Sequence, residues 1–154
     1  MHLNALEVYI CYNKLMTTAE KISHHLATLS LEKSAELSRL YQLIHGEMST
    51  EDLQFFDGKN EQGKVIANPT IGFGQCRLTY SDGSFQDTFR LGISVNSRGL
   101  SIHILGLKYK KFLVDFLGTR LGKAKITGYA IRFGKMKDLD EVVLRELVRK
   151  VVKS

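Results

Sequence analysis

Between residues 71 and 105 apolar and polar side chains alternate with period two, the signature of strands with one buried face. Cys76, Leu78 and Tyr80 fall on one side and Gln75, Arg77 and Thr79 on the other. After the turn sequence Ser81-Asp82-Gly83-Ser84, Phe85, Phe89, Leu91, Ile93 and Val95 alternate with Gln86, Thr88, Arg90 and Ser94. A second turn, Asn96-Ser97-Arg98-Gly99, leads into Leu100, Ile102 and Ile104 alternating with Ser101 and His103. The pattern predicts three antiparallel strands joined as a meander. Only one side is apolar, so helices must cover it, and each large side chain fully buried there contributes roughly 1.5–3 kcal/mol.

Helical periodicity supplies the cover. Thr17-Thr18-Ala19-Glu20 reads as a capping box, opening a helix that places Ile22, Leu26 and Leu29 on one side. Ser30 caps a second helix, with Leu37, Leu40, Tyr41 and Ile44 at i, i+3, i+4 and i+7 and Gly46 as its stop. A short helix is expected around Leu53 to Phe56, followed by a mobile loop over Asp57 to Gly63, and Pro69 leads the chain into the sheet. Tyr109, Phe112, Leu113, Phe116 and Leu117 form the strongest helical stripe, ended by Gly118. Tyr129, Ile131 and Phe133 mark a further strand. Asp138 is the expected cap of a last helix with Leu139, Val143, Leu147 and Val151 inward. The order is helix, helix, three or four strands, helix, strand, helix. This is an α+β fold in which an antiparallel meander is covered on one face by N-terminal, middle and C-terminal helices.

Residues 1–16 show no period and read as an N-terminal extension, with Met16 a candidate natural start and 17–154 a single domain. Two cysteines, Cys11 and Cys76, lie far apart without CxxC spacing and read as reduced thiols, Cys76 in the core. No apolar run has membrane-spanning length and no signal peptide opens the chain, so a cytoplasmic protein without membrane partners is expected. The net charge of +6 is unevenly spread. From Leu107 to Lys137 nine Lys and Arg side chains face Asp115 alone, whereas Leu31 to Asp52 has five carboxylates against two cations. That layout predicts one basic and one mildly acidic surface.

Few motifs carry chemistry. Glu32 and Glu36, four apart, share a helix face that suits either a hard cation or plain solvent. His24-His25 diverge by about 100° on a helix and do not converge on one ion unaided. Gly122, Lys123, Lys125 and Gly128 fit either an anion site of approachable amides and lysines or a structural turn, without Walker or Rossmann spacing. In Ile71-Gly72-Phe73-Gly74 the glycines are expected to permit a bulge or close packing beneath a helix. No GxSxG is present, His103 has the parity of a solvated residue, and enzyme activity has no positive support.

Ile71-Gly72-Phe73-Gly74, Tyr80-Ser81-Asp82-Gly83, Gly92-Ile93-Ser94, Leu100 to Ile104, Leu121 to Gly128 and Asp138-Leu139-Asp140 occur in an order that resembles the YdhG-like family of bacterial domains of unknown function. The resemblance covers about 69–152. It implies helices on an antiparallel sheet and, through frataxin-like relatives regarded as iron chaperones, an iron site at the acidic first helix and adjoining strand edge. Here that region holds Glu32, Glu36, Glu47, Glu51 and Asp52. Two functions follow as expectations. One is a non-enzymatic binding protein for iron. The other is an adaptor whose basic stretch, 108–137, takes an acidic protein, a phosphate ligand or nucleic acid, although that stretch has no nucleic-acid recognition motif.

Overall fold

In the computed structural model, which describes residues 2–48 and 52–153 (the side chains of Tyr12 and Asn13 excepted), five isoleucines line up across five neighbouring strands. Ile71 stands opposite Ile93, Ile93 opposite Ile102, Ile102 opposite Ile131, and Ile131 opposite Ile126. The first four are completely buried. They belong to β2 (Thr70–Phe73), β5 (Leu91–Asn96), β6 (Gly99–Ile104) and β8 (Ala130–Phe133), and Ile126 to β7 (Lys125–Ile126). With β1 (Gln54–Phe56) they make a six-stranded antiparallel sheet in the order β1-β2-β5-β6-β8-β7. Branched side chains suit the pleated surface, and their alignment makes one apolar face continuous.

That face carries the helices: α2 (Thr18–Thr28), α3 (Leu31–Glu47), α4 (Phe112–Leu117) and α5 (Glu141–Val152). Their buried residues, Leu37, Leu40 and Ile44 of α3, Leu113 and Leu117 of α4 and Leu144, Leu147 and Val148 of α5 among them, join the isoleucines in a single core. The capping box at Thr17 is present, with the Glu20 amide donating to Thr17 Oγ1 at 3.1 Å, and the Ser30 cap accepts from the Lys33 amide at 3.3 Å.

Several local expectations are corrected. The strand expected over 75–80 is β3 (Cys76–Thr79), which pairs only with β4 (Phe85–Thr88) in a separate hairpin, so the continuous strand expected from Phe85 to Val95 is broken at Phe89-Arg90. The break has a cause. Phe89 turns onto the sheet over Gly72 and Gly92, where a Cβ at either glycine would collide with its side chain, and Arg90 Nη1 donates to the Leu105 and Gly106 carbonyls at 2.6 Å. The packing predicted for Gly72 is therefore against Phe89, not a helix. Cys76 is half-buried beside Arg90, outside the core, and is unpaired, as is Cys11.

The segment read as a short helix at 53–56 is strand β1, held by β2. Residues 57–63 form a bonded turn, with Asn60 Oδ1 accepting from the Gln62 and Lys64 amides at 3.0 Å. Within the extension, Ala5–Leu15 is a helix, α1, contributing nothing to the core; Asn4 Oδ1 accepts from the Glu7 amide at 2.8 Å. Gly46 lies inside α3, which ends at Glu47. The stripe from Tyr109 shortens to α4, because residues 107–111 turn before it. Asp140, not Asp138, caps α5, accepting from the Val142 and Val143 amides at 3.0 and 3.2 Å. Asp138 instead closes a 3-10 turn, Met136–Asp138, by accepting from the Lys135 amide. No helix among the described residues is long and apolar enough to cross a membrane.

Candidate functional site

The face of the sheet away from the helices is built from the alternate register. Ser94 stands opposite Ser101, Ser101 opposite Arg132, and Arg132 opposite Lys125, a row of polar residues across β5, β6, β8 and β7. The next row is Gly72, Gly92, His103 and Ala130. Phe89, edge-on to Phe56 with ring centroids 5.6 Å apart, occupies the space over the two glycines and so fills only the β2–β5 end of this face. Beyond it the sheet surface is a recess of about 430 Å³, walled by Asn68, Asn96, Arg98, Arg132 and His103 and floored by the two serines.

Ser94 and Ser101 are each only 5% exposed as residues, but their hydroxyls are not among the buried unpartnered atoms of the described residues, which are His25 Nε2 and Asp57 Oδ2; they open onto the recess and its solvent. Neither Arg98 nor Arg132 forms an ion pair among the described residues, and no Asp or Glu lines the recess. Burial first, and then the Arg132 guanidinium, hold the His103 imidazole below its usual pKa, so it is neutral near pH 7. Its ring lies 5.8 Å from that of Tyr129.

Chemically this is a set of hydrogen-bond donors without an acceptor charge: two hydroxyls, two guanidiniums, side-chain amides and one imidazole N–H. Forked guanidinium donors match carboxylate and phosphate oxygens. With no carboxylate lining the recess, the serines and His103 lack the acidic member that orients a hydrolytic triad. Such a donor set is complementary to an anion.

The residues singled out from sequence are distributed differently. Glu32 pairs with Lys135 at 2.8 Å, which holds its carboxyl below the usual range. Glu36 Oε2 accepts from the Met136 amide at 2.7 Å. Glu47 bonds Arg149 through both oxygens, at 2.7 and 3.0 Å, and Arg145 at 3.5 Å, tying α3 to α5. Asp52 Oδ1 accepts from Gln75 Nε2 at 3.1 Å, and Glu51 lies outside the described residues. The acidic residues thus brace separate helix and loop contacts, and no cluster of three or more His, Cys, Asp or Glu able to hold a metal occurs among the described residues.

Gly122 and Gly128 do not converge with Lys123 and Lys125. Gly122 has φ +110° and faces the Asp138 carbonyl, against which any Cβ would collide, while the Lys123 amide donates to that carbonyl at 2.9 Å. This is the structural turn. Gly128 lies apart, beside the Lys110 carbonyl. Lys125 alone joins the row, opposite Arg132 at its β7 end, and is not part of the recess lining.

A second depression, of about 860 Å³, lies where β6 and β8 end. It is predominantly apolar, with Leu105, Leu107, Tyr109, Val114 and Tyr129 in its wall and Lys110 and Lys111 beside them. Sequence alternation assigned Ser94, Ser101 and His103 to the polar side, but nothing in the sequence places Arg132 opposite Ser101. No protein family, curated protein or solved structure matches the chain.

Proposed function

We propose that this is a non-enzymatic binding protein that takes a small anion bearing a phosphate or carboxylate on the open face of its sheet. One observation carries the reading: two serines whose hydroxyls open onto the recess stand in register with Arg132, and no acidic side chain lines that recess. Such hydroxyls can donate to a ligand's oxygens, and guanidiniums without an ion-pair partner beside them select negative charge. Of the expected partners, a phosphate ligand fits this recess. Glu32, Glu36 and Glu47, expected to bind iron, are engaged elsewhere. Kinship with the YdhG-like family is part of this proposal, as is a cytoplasmic location, which suits two unpaired cysteines.

The test is an NMR titration with inorganic phosphate and with acetate at constant ionic strength. Ser94, Ser101, His103 and Arg132 resonances are expected to move together and saturate, and Arg132→Ala to abolish saturation. Shifts confined to Lys110 and Lys111, or none in the recess, would overturn the reading.

A further inference from the structure

Resting on the anion-binding reading above, we infer that the recess and the apolar depression hold one ligand, a single-chain amphiphilic anion whose head lies on Ser94, Ser101 and Arg132 and whose apolar body lies against Tyr129 and Val114. Continuity is the first reason. Ser101 and His103 alternate along the open face of β6 toward Leu105, which lies in the wall of the depression, and the His103 ring, which walls the recess, lies 5.8 Å from the Tyr129 ring, which walls the depression. At about 3.3 Å per strand residue, Ser101 and Leu105 are roughly 13 Å apart, the reach of a chain of about ten carbons.

Exposure is the second. Tyr109, Val114 and Tyr129 stand 52%, 46% and 55% exposed around one depression, an apolar surface that water covers at a cost. Charge is the third: Lys110 and Lys111 against Asp115 leave the depression net positive, so the whole path repels cations. Its volume of about 860 Å³ falls within the usual 300–1,000 Å³ of small-molecule sites, and its concave form suits a single chain dispersed in water better than a flat bilayer.

The experiment is calorimetric titration of the full chain with inorganic phosphate, butyl phosphate and decyl phosphate, the last below its micelle-forming concentration. A fully buried methylene strengthens binding about fourfold, so even a partly open depression predicts at least about a tenfold preference for decyl over butyl phosphate. Val114→Asn is expected to erase that preference and leave butyl phosphate affinity within about twofold. Val114 is 46% exposed, so the fold survives, which circular dichroism verifies. Arg132→Ala is expected to weaken both alkyl phosphates. Equal affinity of the native chain for butyl and decyl phosphate would overturn the inference and leave the anion site standing. Failure of all three phosphates to bind would overturn the anion reading itself. Sedimentation with phosphatidylglycerol vesicles in the absence of decyl phosphate binding would likewise overturn the single-chain ligand.

Discussion

Replacing Ser94 and Ser101 with alanine should make the protein more stable. Each residue is 5% exposed and its hydroxyl meets water only at the recess, so each alanine removes a polar group with limited hydration. An unpaired buried hydroxyl costs roughly 1–3 kcal/mol, and the remaining sliver of exposure lets water recover part of that. A gain of about 0.5–1 kcal/mol per site is expected, or about 1–2 kcal/mol for Ser94→Ala/Ser101→Ala, allowing for partial hydration. With a urea m-value of about 2 kcal/mol/M, the unfolding midpoint should rise by about 0.5–1 M with m unchanged. Binding sites commonly trade stability for function in this way. A midpoint that falls by 0.5 M or more would refute the reasoning, because the hydroxyls would then hold the sheet together and not await a ligand.

Three other outcomes follow from the same geometry. Ile102→Ala, adjacent to Ser101 but on the helix-covered face and fully buried between Ile93 and Ile131, should cost about 2–5 kcal/mol and lower the melting temperature by several degrees, measured by calorimetry. Asp140→Ala should cost about 1 kcal/mol through loss of two capped amides at the start of α5, read from urea unfolding; a zero effect would contradict the cap. Burial lowers the pKa of both His25 and His103, with His24 and Arg132 respectively adding to the shift. Below about pH 6.5 the unfolded chain therefore takes up protons that the folded chain resists, so stability is complete above that pH and declines as the pH falls toward the folded values. His103→Gln should flatten this decline between pH 7.5 and 5, and an unchanged slope would show that His103 titrates freely.

Local signals that involve neighbours in sequence were legible without coordinates. The Thr17–Glu20 box and the Ser30 cap are contacts between residues three apart, and the apolar stripe of α3 and the alternation along β5 and β6 depend only on the period of the backbone. Alternation failed at Phe89 because the residue left its strand to cover two glycines, one of them, Gly72, distant in sequence. It failed at β1 because three residues lack a full period and take their conformation from the partner strand. The two-residue error at 138–140 arose because Asp138 and Asp140 offer the same capping chemistry, and only the turn before α5 decides which carboxylate meets its amides.

From the sequence alone come the α+β class, the two faces of the sheet and the basic bias of residues 107–137, since each depends on residue type and local period. The tertiary structure alone decided which polar residues meet. Register, set by packing five isoleucines beneath the helices, carries Ser94, Ser101, Arg132 and Lys125 into one row, and it turns Glu32, Glu36 and Glu47 into braces. Strand pairing is a long-range choice made by the buried face, and the open face inherits its chemistry from it.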